Sequence, residues 1–157
     1  MRVAAIVLAA GASRRLGRPK QDVVFEGETL LARATRIARE VTDEVIVVTR
    51  ENNPEAAEGM AASIRIGVAA AGSESRILIT LCDQPLVTAD HLRALVAVDA
   101  PIVATGYAGI AGVPAVFDPQ FIPELLALRG DVGARSIIAR HGAHVVPFED
   151  AAVDVDA

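Results

Sequence analysis

Val3 to Ala10 is an unbroken apolar run that stops at Gly11. With no polar residue at alternate positions, it reads as a strand covered on both faces, the environment of a parallel sheet flanked by helices. The later segments keep that alternation. Leu30 to Val41 carries apolar residues at the 3.6-residue period, with Thr29 placed as its N-cap and its arginines on the outer face. Glu44 to Thr49 (EVIVVT) reads as a second buried strand, so strand, helix and strand open a right-handed parallel unit. A second helix begins at or after Gly59, because a glycine inside a helix costs about 1 kcal/mol relative to alanine.

Arg76 to Cys82 (RILITLC) is the next strand, followed by a helix from Ala89 to about Val98 capped by Thr88. Pro101 to Thr105 is a further strand, Gly106 to Gly112 a glycine-rich loop, and Val113 to Phe117 a return strand. Asp118-Pro119 opens a helical stretch that Pro123 should bend or split. Asp131 is placed to cap a helix over Ala134 to Arg140, and His144 to Phe148 is the last strand. Between the first strand and helix, Asp22 to Gly27 is a short connection or strand turning at Glu26-Gly27.

The 157 residues are most simply a single domain, 1–157, with a sizeable core. Hydrophobic residues make up 52% of the chain and aromatics 3%, a close-packed α/β composition without stacking platforms for nucleic-acid bases. A net charge of −5 argues against a nucleic-acid partner, so any phosphate ligand must be held locally. Cys82 is the single cysteine and excludes an internal disulfide; it reads as a small core residue. No apolar run approaches the ~20 residues of a membrane helix, and the N-terminus lacks a signal-peptide pattern. A soluble cytoplasmic protein with no membrane partner is the expectation. His91, His141 and His144 lack metal-ligand spacing and are expected at the surface or at element edges.

Beyond Gly11, the chain places Arg14, Arg15, Arg18 and Lys20 within seven residues. A strand emptying into a glycine turn exposes backbone N–H groups that suit phosphate oxygens, and cations just beyond suit a polyphosphate. The spacing is neither the P-loop nor the dinucleotide fingerprint. Leu8 to Lys20, LAAGASRRLGRPK, instead resembles the LAAGxSxRxGxxK signature of the MobA-like nucleotidyltransferases. Its doubled alanine, Ala9-Ala10 before Gly11, is similar to the branch that uses CTP, the molybdenum cofactor cytidylyltransferases.

That resemblance implies a three-layer α/β/α sandwich with a mostly parallel, Rossmann-like sheet, which the order of strands and helices supports independently. It implies that Leu8, Ala9, Ala10, Gly11 and Ser13 bind the nucleotide, with Arg15 and Lys20 on its triphosphate. Asn53 to Arg65 is similar to the family's NPxxxEGMxxSLRxG segment, which puts Gly59, Met60 and Ser63 against the base. Asp83, at the carboxyl end of a buried strand, is a natural Mg²⁺ ligand or else a turn residue. Its Asp83-Gln84-Pro85 triplet resembles the family's DQP and favours the metal. The closing Val153-Asp154-Val155-Asp156 is similar to the start of DxDTPEDL. It makes Asp156 the first choice for a second metal ligand and Asp154 the alternative. Arg129 to Arg135 resembles RGDxGAR, which assigns Gly130 and Asp131 to the side that receives a pterin.

The activity implied is transfer of CMP from CTP to a molybdopterin-type cofactor, with Mg²⁺ as cofactor and a molybdoenzyme as recipient. A carrier without catalysis, or transfer to another phosphorylated acceptor, are the alternatives. Three features depart from the family. The link between Thr49 and Asn53 lacks a further helix and strand, Val113 stands where a histidine is usual before proline, and the tail lacks TPEDL.

Overall fold

A computed structural model describes residues 2–9, 23–49, 52 and 59–153. Strand β1 (Val3–Leu8) is followed by a small hairpin, β2 (Val24–Phe25) and β3 (Glu28–Thr29), then by α1 (Leu30–Arg39) and β4 (Glu44–Val48). Next come α2 (Met60–Ala71), β5 (Arg76–Leu81), α3 (Ala89–Ala97), β6 (Ile102–Tyr107) and β7 (Ile110–Phe117). A 3-10 helix (Pro119–Phe121) runs into α4 (Ile122–Leu126). It is followed by α5 (Arg135–His141), β8 (His144–Pro147) and a second 3-10 helix (Glu149–Ala152).

The main sheet has six strands in the order β4-β1-β5-β7-β6-β8, and β7 alone of these runs antiparallel to its neighbours. Residues of β1 alternate between its two faces. Ala4, Ile6 and Leu8 join the core under α2, α4 and α5, whereas Ala5 and Val7 join the core under α1 and α3. Ala4 to Val7 are completely buried, which is why the run has no polar interruption. The three-layer, mostly parallel architecture implied by the sequence is the one present. Helix α2 approaches β1 closely because Gly67 has no side chain: a Cβ there would stand 2.5 Å from Ile6 Cγ2. No described helix is long and apolar enough to cross a membrane.

Both threonine caps are as expected: Ala32 N donates to Thr29 Oγ1 at 3.1 Å, and His91 N to Thr88 Oγ1 at 3.1 Å. The split at Pro123 also occurs, where the 3-10 turn passes into α4. Several readings are corrected. β4 is not a buried strand but the last strand of the described sheet, half-buried along most of its length. Residues 106–112 are not a loop but the body of the β6–β7 hairpin. Its turn is Ala108-Gly109, both at positive φ (52° and 76°), the geometry that matches strand twist. Gly106 and Gly112 belong to the strands, where Val145 Cγ1 and the Tyr107 hydroxyl lie 2.6 and 3.1 Å from the space a Cβ would take.

Candidate functional site

The site is set by where β1 and β5 end. The two strands pair in parallel with Leu8 opposite Leu81, and Cys82 N donates to the Leu8 carbonyl at 3.2 Å. On the other flank Ala9 N donates to the Val48 carbonyl at 2.8 Å. The cationic signature segment therefore leaves β1, and Asp83 leaves β5, from adjoining strands at one level, about 4.8 Å apart. α1 joins β1 to β4 across one face of the sheet, and α2 joins β4 to β5 across the other. Open α/β sheets bind their ligands outside the carboxyl ends of their strands, which is where both the signature segment and Asp83 emerge.

Asp83 stands in the turn after β5, with Val87 N bonded to the Gln84 carbonyl at 3.3 Å. Gln84 is buried. Its Nε2 donates to the carbonyls of Val113 (3.2 Å) and Ala151 (3.1 Å), tying the acidic turn to the middle of β7 and to the last 3-10 helix. Arg33 holds the turn from the opposite flank, where its Nε donates to the Pro85 carbonyl at 2.7 Å. Neither residue was singled out from the sequence. Gln84 was read only as a letter of DQP, and Arg33 as an outer-face arginine, although its side chain is 16% exposed and turned toward Pro85. Cys82 is buried, as expected.

A second meeting point lies at the start of α2. Gly59 is its N-cap at φ 122°, and a Cβ there would fall on Asp131 Oδ1 and 2.8 Å from the Gly130 carbonyl. Ala61 N donates to that carbonyl at 3.1 Å. The two motif segments, distant in sequence, are thus in direct contact. Asp131 does not cap α5, whose N-cap is Ala134 with no side-chain bond. Its carboxylate lies instead at the positive end of α2, where the helix dipole favours it. Met60 is partly exposed beside Gly133, and Ser63 is buried at 5% exposure, one turn further in.

His91 is a correction: it is neither a surface nor an edge residue. It is buried, stacked on Phe148 with ring centroids 4.3 Å apart, and its Nε2 lies 2.8 Å from Thr105 Oγ1. The Thr105 hydroxyl donates to the Pro114 carbonyl at 2.6 Å, so it accepts from Nε2–H. Burial holds the imidazole pKa below its usual value. The signal was there: His91 precedes Leu95 by one helical turn and shares its buried face. His144 is exposed, as expected, while His141 bonds Glu124 through Nε2 at 2.8 Å and lowers that carboxyl's pKa.

Ala10, Gly11, Ser13, Arg15, Lys20, Asp154 and Asp156 lie outside the described residues. Among the described residues, no group of three or more His, Cys, Asp or Glu side chains could hold a metal ion. Asp83 offers a single carboxylate at this edge. That donor set does not make a closed structural site, but it suits Mg²⁺, which takes one or two carboxylates and fills its shell with phosphate and water.

A family model described as the MobA-like NTP transferase domain matches residues 5–145. The chain belongs to this family. As a MobA-like nucleotidyltransferase domain it has curated relatives that it matches over most of their length. It is 31% identical to the purine catabolism protein PucB of Bacillus subtilis, over 85% of this chain and 78% of that one. It is 30% identical to the molybdenum cofactor guanylyltransferase of Rhodobacter capsulatus, over 95% and 86%. Among solved structures, Rv0371c of Mycobacterium tuberculosis superposes with a TM-score of 0.82 at 28% identity, over 95% of this chain and 89% of that one. A manganese complex of the same mycobacterial protein superposes at 0.74, with 24% identity and the same coverage. The MobA-like domain accordingly carries Leu8, the first residue of its signature, at the end of β1 and its DQP triplet after β5.

Proposed function

We propose that this protein, acting as the single domain 1–157, transfers CMP from CTP to the terminal phosphate of a molybdopterin-type cofactor and releases pyrophosphate. The observation that carries the reading is that β1, which leads into the signature segment, and β5, which leads into Asp83, are hydrogen-bonded parallel neighbours ending at the same level, at the carboxyl edge where open α/β sheets bind their ligands. A phosphate oxygen of the acceptor attacks the α-phosphorus of the nucleotide. The bond from that phosphorus to the β-bridging oxygen breaks, and its electron pair leaves with pyrophosphate. Such a transfer needs positioning and charge neutralisation more than covalent help.

In this reading Arg15 and Lys20, with the N–H groups of Ala10 to Ser13, hold the triphosphate and neutralise the departing pyrophosphate. Leu8 and Ala9 form the floor from which that segment rises. Asp83, with Asp156 or Asp154, holds Mg²⁺. When bound, the ion supplies Lewis-acid neutralisation worth several kcal/mol. The bond from Gln84 to the Ala151 carbonyl supports this pairing, because the segment carrying both C-terminal aspartates starts beside the acidic turn. Gly59 and Met60 serve the base through backbone, with Ser63 behind them. Gly130 and Asp131 serve the acceptor. The contact of Gly59 with Asp131 supports neighbouring base and acceptor sides. CTP rests on Ala9-Ala10-Gly11, and the product would pass to a molybdoenzyme.

The test is incubation with each of the four nucleoside triphosphates, Mg²⁺ and candidate phosphorylated acceptors, with pyrophosphate as readout. CTP with the molybdopterin-type cofactor is expected to give the most. Pyrophosphate from another pair would reassign the substrates, and nucleotide binding without release would make the protein a carrier.

A further inference from the structure

The Asp83–Pro85 turn is gripped from the β2–β3 side by a residue that belongs to no motif. Arg33, on the first turn of α1, reaches 52 positions along the chain to bond the Pro85 carbonyl. Its Nη1 lies 3.6 Å from Glu26 Oε2 and 3.7 Å from Glu28 Oε1, and its guanidinium stands 5.2 Å from the centroid of Phe25. All three of those partners are in the hairpin Val24–Thr29, which follows Lys20 by four positions. An arginine that merely balanced two glutamates would sit in solvent, because its charge is best hydrated there. This one is largely withdrawn from solvent, and its shortest bond is to main chain at the acidic turn.

We propose that Arg33 is a positioning residue that fixes the arm following the cationic segment against the acidic turn. The triphosphate-holding groups and the metal-holding carboxylate then form one frame. The proposal rests on the functional reading above. A planar guanidinium suits the task, because its fixed fork can address the carbonyl, the two carboxylates and the aromatic face together.

Arg33→Met keeps the aliphatic stem and removes the fork, while Arg33→Lys keeps the charge but gathers its donors on a single nitrogen. The experiment measures nucleotide KM, kcat and the Mg²⁺ concentration for half-activation. Alongside them, amide hydrogen exchange is followed in peptides covering 24–29 and 83–87, with β1 and β5 as internal controls. In Arg33→Met, nucleotide KM and Mg²⁺ half-activation are expected to rise about tenfold, the lower end of the loss seen when outer-shell partners are removed. kcat should change less, both peptides should exchange faster together, and the strands should be unaffected. Arg33→Lys should recover part of each.

KM and half-activation within twofold of wild type would overturn the positioning role, even with faster exchange. Unchanged exchange in both peptides would overturn the clamp itself. Wild-type protein that releases no pyrophosphate with any nucleotide would strike the functional reading instead, and the exchange data would still decide the clamp.

Discussion

Two buried or half-buried side chains at the carboxyl edge of the sheet respond differently to change. Asp83→Asn keeps the shape of the turn but removes the negative charge, and amides are poor Mg²⁺ ligands beside carboxylates. Transfer is expected to fall at least a hundredfold while thermal stability stays within a few degrees, read by pyrophosphate release and by calorimetry. An Asn variant with normal Mg²⁺-dependent turnover would end the metal assignment. His91 predicts a stability effect with a definite sign. Its folded pKa lies below its usual 6.5 because burial disfavours the imidazolium. On acidification the unfolded chain therefore binds the proton first, and stability falls as pH drops below about 6.5. The slope from one such group is at most about 1.4 kcal/mol per pH unit. Urea midpoints of wild type and His91→Gln at pH 7.5 and 5.0 should converge on acidification. A constant gap would show that His91 binds its proton equally in the folded and unfolded chain, so that burial does not disfavour the imidazolium.

At the scale of elements, the meeting of α2 with the 130–131 turn depends on one missing side chain. Gly59→Ala would place a methyl on Asp131 Oδ1 and force an L-residue to φ 122°. Strain of about 1–3 kcal/mol from the backbone alone is expected, plus displacement of the Gly130 segment. Adding Asp131→Ala should relieve only the clash with the carboxylate, leaving the Gly130 carbonyl and the backbone strain, so a double-mutant cycle by urea denaturation should show favourable coupling. Additive effects would mean that the two segments do not touch. The glycine entry to α2 was legible because a glycine in mid-helix is costly. Its partner was not, since contact between positions 59 and 131 depends on how two connections cross the sheet. The same limit explains Asp131, which local spacing assigned to α5 and tertiary structure gives to α2. The β6–β7 hairpin was hidden differently: its three glycines suggest a loop, yet two are small only because Val145 and Tyr107 cover them. Arg33 follows the period of an outer face, and its bond to Pro85 could not be read from one helix.

Across the whole molecule, the two edges of the sheet do different work. The carboxyl edge carries Leu8 at the end of β1, Asp83 after β5 and the glycine entry to α2, and open α/β sheets bind their ligands outside the carboxyl ends of their strands. The opposite edge is held by Arg76 at the start of β5. Its guanidinium bonds Asp118 at 3.0 Å and the carbonyls of Val96 and Val98 at 2.8 and 3.2 Å, closing the C-terminal end of α3 onto the sheet. The side chain is 11% exposed, so these groups lose water on folding and need their partners. Arg76→Met keeps the stem but orphans two carbonyls and a carboxylate, and should cost about 2 kcal/mol in urea unfolding. β5 carries Arg76 at one end and leads to Asp83 beyond the other, with Ile77 to Ile79 locked in the core between them. A rigid strand transmits little from a loosened start, so nucleotide KM and kcat should remain within twofold of wild type. A large kinetic change alongside the stability loss would mean that β5 shifts as a unit, and that the acidic turn takes its position from the far end of the sheet.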